Sequence, residues 1–222
     1  MHSTLRNLHG GGRGSGTTLN RFRLNEVISQ LAFGGRRGRV YREIVSLAGV
    51  KPGDTVLDVG CSGGYLARKL ALAAGPTGHV TGVDPSEAAI GYAQRRAAGT
   101  AMTFAVGAAQ QLNLPDDSCD AVTCTLALHH VPARQRAAAL GEMYRVTKPG
   151  GRLLLADFDP ARPGLMRHPG SARTRRAVAT VGSLDDLAAA AGYRIESAGT
   201  LPLLRYVAAT RPALTVREGA AI

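Results

Sequence analysis

Apolar and polar positions follow two rhythms along this chain, and the switches between them mark its elements. From Leu24 to Val50 apolar residues recur at helical spacing: Val27, Ile28 and Leu31, then Val40, Ile44, Val45 and Leu47. Gly34 and Gly35 predict a break between two helical pieces. Beyond them the chain alternates. Residues 55–60 read as a strand and 65–74 as a helix with Leu66, Leu70 and Ala73 on one face. A GPTG turn at 75–78 leads to a strand at 79–84 and a helix at 86–98, with Ser86 placed to cap it. Strands follow at 102–107 and 120–126, then a helix at 133–146 that KPGG should end. A strand at 152–157, a helix at 183–191 and two β segments, 194–200 and 203–210, complete the pattern.

Alternating strand and helix predicts an α/β fold, a mostly parallel sheet of seven strands with helices on both faces. The link Leu201-Pro202 is too short for a parallel crossover, so the closing hairpin adds one antiparallel strand. Residues 1–20 (including HGGGRGSGTT) are Gly-rich and polar and predict a mobile tail. The expected division continues with N-terminal helices over 21–50 covering the site, one domain over 51–212, and a short tail at 213–222.

Length and composition change this picture little. A chain of 222 residues buries one substantial core, and no apolar run approaches the ~20 residues that span a bilayer. The opening MHSTLRNLHGGG has no apolar centre and so no secretory pattern, and a soluble cytoplasmic protein is expected. Cys61, Cys119 and Cys124 form neither an even set nor a CxxC pair, which argues against a disulfide framework or a zinc site. The net charge of +11 matters more, because basic surface engages phosphate backbones. Two clusters stand out: Arg36, Arg37, Arg39 and Arg42, and later Arg162, Arg167, Arg173, Arg175 and Arg176. All but Lys51, Lys69 and Lys148 of the basic residues are Arg in a chain rich in Ala and Gly, so a composition bias with no partner behind it is the favoured reading.

The stretch VLDVGCSGG, 56–64, places one carboxylate, Asp58, in an apolar strand just before a turn of small residues. An unpaired carboxylate in a dry site costs several kcal/mol, so Asp58 needs donors from backbone, water or a bound cation. The next strand ends in VTGVDPS with Asp84 at its tip, where a carboxylate suits the two hydroxyls of a ribose. Glycines at 60, 63 and 64 do not fit the G-x-G-x-x-G spacing of a dinucleotide site. A nucleoside with positive charge satisfies both carboxylates, and S-adenosylmethionine is one.

With these residues in view, the chain resembles the class I S-adenosylmethionine-dependent methyltransferases, in particular the compact quinone C-methyltransferase-like kind. VLDVGCSGG resembles the first motif of that family and GVDPS the second. AVGAAQQLNLPDDSCDAV, LALHHV and EMYRVTKPGGRLLLADF resemble the later ones, in order, from about Leu31 to Arg211. The resemblance implies a Rossmann-like, doubly wound sheet and S-adenosylmethionine as cofactor. It implies that Asp58, Gly60, Cys61, Ser62 and the backbone to Gly64 hold the methionine end. It places Asp84 on the ribose, Pro85 against the adenine, Ala109 and Gln110 at the adenine edge, and Thr125 near the methionine moiety. Ser62 departs from the family's middle glycine, and Ala108 stands where many relatives carry an Asp.

Methyl transfer from a sulfonium needs positioning more than a covalent nucleophile. His129 and His130 follow the fourth strand and are candidate general bases, or else residues that pack the strand edge. Asp157 and Asp159 reach the same edge after the fifth strand. No metal site is expected. TCTLAL lacks the Asn/Asp-Pro-Pro-Tyr motif of amine-methylating nucleic-acid enzymes, which argues against a nucleobase amine, and the expected acceptor is a small or lipophilic molecule. An RNA-directed methyltransferase using the Arg clusters is one alternative, and a non-catalytic cofactor-binding protein is another.

Overall fold

The structure is a computed structural model that describes residues 35–97, 99–161 and 181–213. The N-terminal tail, the first helical piece, the whole second Arg cluster and the last residues lie outside that description. Helix α1 (Arg37–Ala48) precedes strand β1 (Thr55–Val59), followed by α2 (Tyr65–Ala74), β2 (His79–Asp84), α3 (Glu87–Ala97) and β3 (Met102–Val106). Then come β4 (Cys119–Thr125), α4 (Arg136–Val146), β5 (Thr147–Phe158), α5 (Leu184–Ala190), β6 (Arg194–Leu201) and β7 (Leu204–Thr210). Two 3-10 turns, Leu128–His130 and Ala133–Gln135, join β4 to α4.

The strands form one seven-stranded sheet in the order β3-β2-β1-β4-β5-β7-β6. Neighbours are parallel from β3 to β5, and β7 runs antiparallel to both β5 and β6. The reversed strand follows from the tight link Pro202-Leu203, where Leu203 takes a φ of 73°, the positive value such turns require after proline.

Helices cover both faces, so the central strands are apolar on both sides. Val56, Ala121 and Leu154 pack against α1, α2 and α3. Leu57, Val122 and Leu155 pack against α4 and α5. Val40 and Ile44, one turn apart on α1, are fully buried, so the helical periodicity near the N-terminus reports a real core face. Ser86 accepts the Ala89 amide at 3.3 Å, and Ser183 accepts the Asp186 amide at 3.1 Å, each capping the helix that follows.

The fifth strand starts earlier than the pattern predicts. Thr147 pairs with Cys119, and the next pair is Arg152 with Ala121, so residues 148–151 bulge out with Gly150 at a φ of 79°. KPGG thus ends the helix and sits within the strand. Arg37, counted above among surface cations, is buried with its guanidinium 3.7 Å from the Tyr65 ring centre. All three cysteines are buried and unpaired. Among the described residues no helix is long and apolar enough to cross a membrane.

Leu154 is fully buried between β4, β7 and the first helical layer. Leu154→Ala should lower unfolding stability by about 2–5 kcal/mol, read as a reduced urea midpoint at unchanged slope.

Candidate functional site

Strand order reverses between β1 and β4, and in open α/β sheets ligands bind beyond the carboxyl ends of the strands at such a point. A cleft of about 430 Å³ opens there. Its walls are Val59, Gly60 and Ser62 after β1, Val83, Asp84 and Pro85 after β2, and residues 107–110 after β3. Cys124, Leu126, Ala127 and His130 close it from the β4 side.

The turn after β1 needs its small residues. Gly60 has a φ of 73°, and a Cβ there would lie 2.2 Å from the Ala127 Cβ. A Cβ on Gly64 would meet the Phe104 ring at 2.8 Å. Ser62, at a φ of 48°, is a side-chain-bearing residue in the left-handed region that glycine favours. Its amide donates to Asp84 Oδ2 at 3.0 Å, while Asp84 Oδ1 accepts the Ser86 amide at 2.9 Å. Asp84 therefore ties the first turn to the second.

Asp58 is 2% exposed. Thr123 Oγ1 donates to its Oδ1 at 2.9 Å, and its Oδ2 has no hydrogen-bond partner. Burial pushes the Asp58 carboxyl up to about 7 against the opposing Thr123 hydrogen bond, and the Asp84 charge adds to the rise. The Ala67 amide opposes it more weakly, without meeting hydrogen-bond geometry at Oδ2. Asp58 pairs in register with Gly82 and with Thr123, so Asp84 and Thr125, each two residues further, share its face of the sheet. Thr125 Oγ1 is also buried without a partner. Tyr41 packs edge-on against Tyr65 with ring centres 4.9 Å apart. Burial raises the Tyr41 hydroxyl pKa, with Arg37 opposing and Asp58 adding to the rise.

At the β4 exit the two histidines part company. His129 is buried, its Nδ1 2.7 Å from Asp157 Oδ1 and its amide donating to Asp157 Oδ2 at 3.0 Å. His130 lines the cleft and reaches solvent. The low-dielectric surroundings of its ring, then His129, hold its pKa below the ordinary histidine value, with Asp157 and Asp84 opposing. Asp159 is buried and caps the loop by accepting the Ala161 amide at 2.9 Å.

The cleft thus gathers Gly60, Ser62, Asp84, Pro85, Ala109, Gln110 and His130. Asp58 and Thr125 lie on the α1-to-α3 face of the strands they belong to, at the same edge. Cys61 and Gly64 are packed under the turn, and burial drives the Cys61 thiol far above its usual range. Sequence reasoning missed Thr123, although two threonines at alternate positions in the apolar run 119–125 were a signal. It also missed Leu126 and Ala127, which the sequence marks only as apolar.

Residues 56–151 match the model of a methyltransferase domain. A demethylmenaquinone methyltransferase of Symbiobacterium thermophilum is 36% identical over 133 residues, covering 58% of this chain and 52% of the relative. The ubiquinone/menaquinone biosynthesis C-methyltransferase UbiE of Ectopseudomonas mendocina is 36% identical over 146 residues, 64% of this chain and 54% of the relative. The chain spans about half the length of these relatives. A SAM-dependent methyltransferase structure from Aquifex aeolicus superposes with a TM-score of 0.63 at 23% identity, covering 77% of this chain and 89% of that one, and so shares the fold. Strand order, ordered motifs and relatives agree on a methyltransferase domain over residues 56–151, in a fold the chain shares with S-adenosylmethionine-dependent methyltransferases.

Proposed function

We propose that this chain moves a methyl group from S-adenosylmethionine to a small, lipophilic acceptor by in-line displacement. The observation that carries the reading is the buried Asp58 carboxylate with one unpartnered oxygen, on the same sheet face as Asp84 at the switch point. A carboxylate so placed calls for a cationic partner, and the ammonium of the cofactor is one. The residues present fit the group: Asp84 keeps acceptor capacity for ribose hydroxyls, and the bare Gly60 turn allows close approach of backbone. Thr125 offers a hydroxyl near the methionine end, with Cys61 and Gly64 shaping the turn from below. Pro85, Ala109 and Gln110 face the adenine in this reading.

Bound S-adenosylmethionine supplies an electrophilic methyl group on a sulfonium. The chain's own part is to orient, to exclude water and to take a proton where the acceptor has one to lose. Val59, Val83, Leu126 and Val131 give the cleft apolar walls. His130, with a pKa held low, stays neutral and available as a general base near pH 7. The relatives' names point to quinone precursors as the acceptor class. Residues 51–212 belong to the methyltransferase domain in this reading. Three unpaired buried cysteines suit the reducing cytoplasm.

Calorimetry should show S-adenosylmethionine binding to the wild-type chain, weakened about ten- to a hundredfold by Asp84→Ala through loss of charge-assisted hydrogen bonds. Incubation with a demethylated naphthoquinol should then add one methyl mass. A wild-type chain without measurable binding would overturn the reading.

Asp58 also sets a pH signature. Folded, it keeps its proton to about pH 7; unfolded, it loses it near the usual carboxylate value. Between those limits the folded state binds more protons, so Asp58 makes ligand-free stability fall as pH rises. Asp58→Asn should flatten that fall, measured by urea unfolding at pH 5 and pH 7.5. A cation favours the ionised carboxylate, so cofactor affinity should rise from about pH 6 to 7.5 in the wild type and change less in Asp58→Asn.

A further inference from the structure

We propose that the buried Asp157–His129 pair is a positioning device that fixes the β4 exit turn, and with it Ala127 and His130, as one wall of the cofactor cleft. The identity of the cleft's ligand rests on the methyltransferase reading; the mechanical claim does not.

One carboxylate grips one residue at both ends. Asp157 Oδ2 accepts the His129 amide at 3.0 Å, and Oδ1 accepts His129 Nδ1 at 2.7 Å and the Phe158 amide at 2.7 Å. The carboxylate can only accept, so Nδ1 carries the hydrogen and the tautomer is set. Side chains of both partners are almost wholly buried, at 3% and 1% exposure. The Phe158 ring packs on His129 at 5.4 Å between centres. Fixing both the backbone and the ring of His129 leaves its neighbour little freedom, and the His130 ring lies 4.0 Å from it, centre to centre.

The other end of the turn is fixed as well. The Leu126 amide donates to the Ala156 carbonyl at 2.8 Å, one residue before Asp157 on β5. Leu126 has a φ of 56°, a conformation that a leucine keeps only where its surroundings hold it. Between these two anchors sits Ala127, packed so tightly on Gly60 that no Cβ fits there. A turn released from Asp157 would therefore move the wall of the cleft and the backbone that the cofactor approaches.

A buried hydrogen-bonded carboxylate is weak evidence for stability, so the role is tested as positioning. The conservative variant His129→Asn keeps an N–H near the Nδ1 position, whereas His129→Ala and Asp157→Asn break the grip. Titrating S-adenosylhomocysteine into the full chain by calorimetry should give a Kd raised at least about tenfold in His129→Ala and Asp157→Asn. His129→Asn should bind close to the wild type. The Gly60 amide resonance, followed by NMR without ligand, should move in His129→Ala and stay in place in His129→Asn. An unmoved Gly60 amide, or undiminished affinity in His129→Ala, overturns the proposal. Should His129→Ala fail to fold, Asp157→Asn supplies the comparison, and loss of folding in both assigns the pair a purely structural role. A wild-type chain that binds no S-adenosylhomocysteine overturns the methyltransferase reading, and the Gly60 amide then decides the clamp alone.

Discussion

A carboxylate buried where strand order reverses is the constraint on which the rest of this structure turns. Asp58 sits in the first strand with a single donor, Thr123, and an oxygen left over. An apolar side chain there would pack better with Val56 and Ala121 on the same face of the sheet. Burial answers by keeping the proton on, and a cationic ligand would answer by taking its place. The fold carries a stability cost at this point, and in the proposed reading it serves ligand binding, with the small-residue turn and the Asp84 tip arranged around it.

Two contacts convert that chemical demand into a shaped site. Asp84 joins the β1 and β2 turns through the Ser62 and Ser86 amides, so the two carboxylates belong to one rigid edge. The Gly60–Ala127 contact joins the β1 turn to the β4 exit, which Leu126 and His129 hold on β5. Four strand exits are thus mechanically connected, and a displacement at one is felt at the others, because close-packed groups have few alternative arrangements.

The fold was legible because both helical layers bury the central strands, which makes them read as near-continuous apolar runs such as Leu153, Leu154 and Leu155. The cap at Ser86 was legible because its partner lies three residues away. The bulge at 148–151 was not, since it depends on where Cys119 falls on a neighbouring strand. Nor was the cage of Asp58, whose donor lies 65 positions on, or the grip of Asp157 on His129, 28 positions back. Arg37 carried a misleading signal. Charge predicts a surface place, but a guanidinium over Tyr65 and beside Tyr41 can be buried at its aromatic face.

The departures from the family pattern fall where the structure tolerates them. Ser62 holds a backbone conformation that costs a residue with a side chain roughly 1–2 kcal/mol, yet its amide still meets Asp84, and the residue is exposed, so its Cβ has room. Ala108 removes a carboxylate from the cleft rim, but its carbonyl accepts the Gln111 amide at 3.0 Å and holds residues 108–111 in a tight turn. That turn carries Gln110, whose amide has both donors and an acceptor, to the cleft wall. In the proposed reading, recognition at that edge falls to neutral amide groups, which read hydrogen-bond pattern without adding a third negative charge beside Asp58 and Asp84. A further carboxylate close to Asp58 would add to the rise in its pKa that Asp84 already contributes.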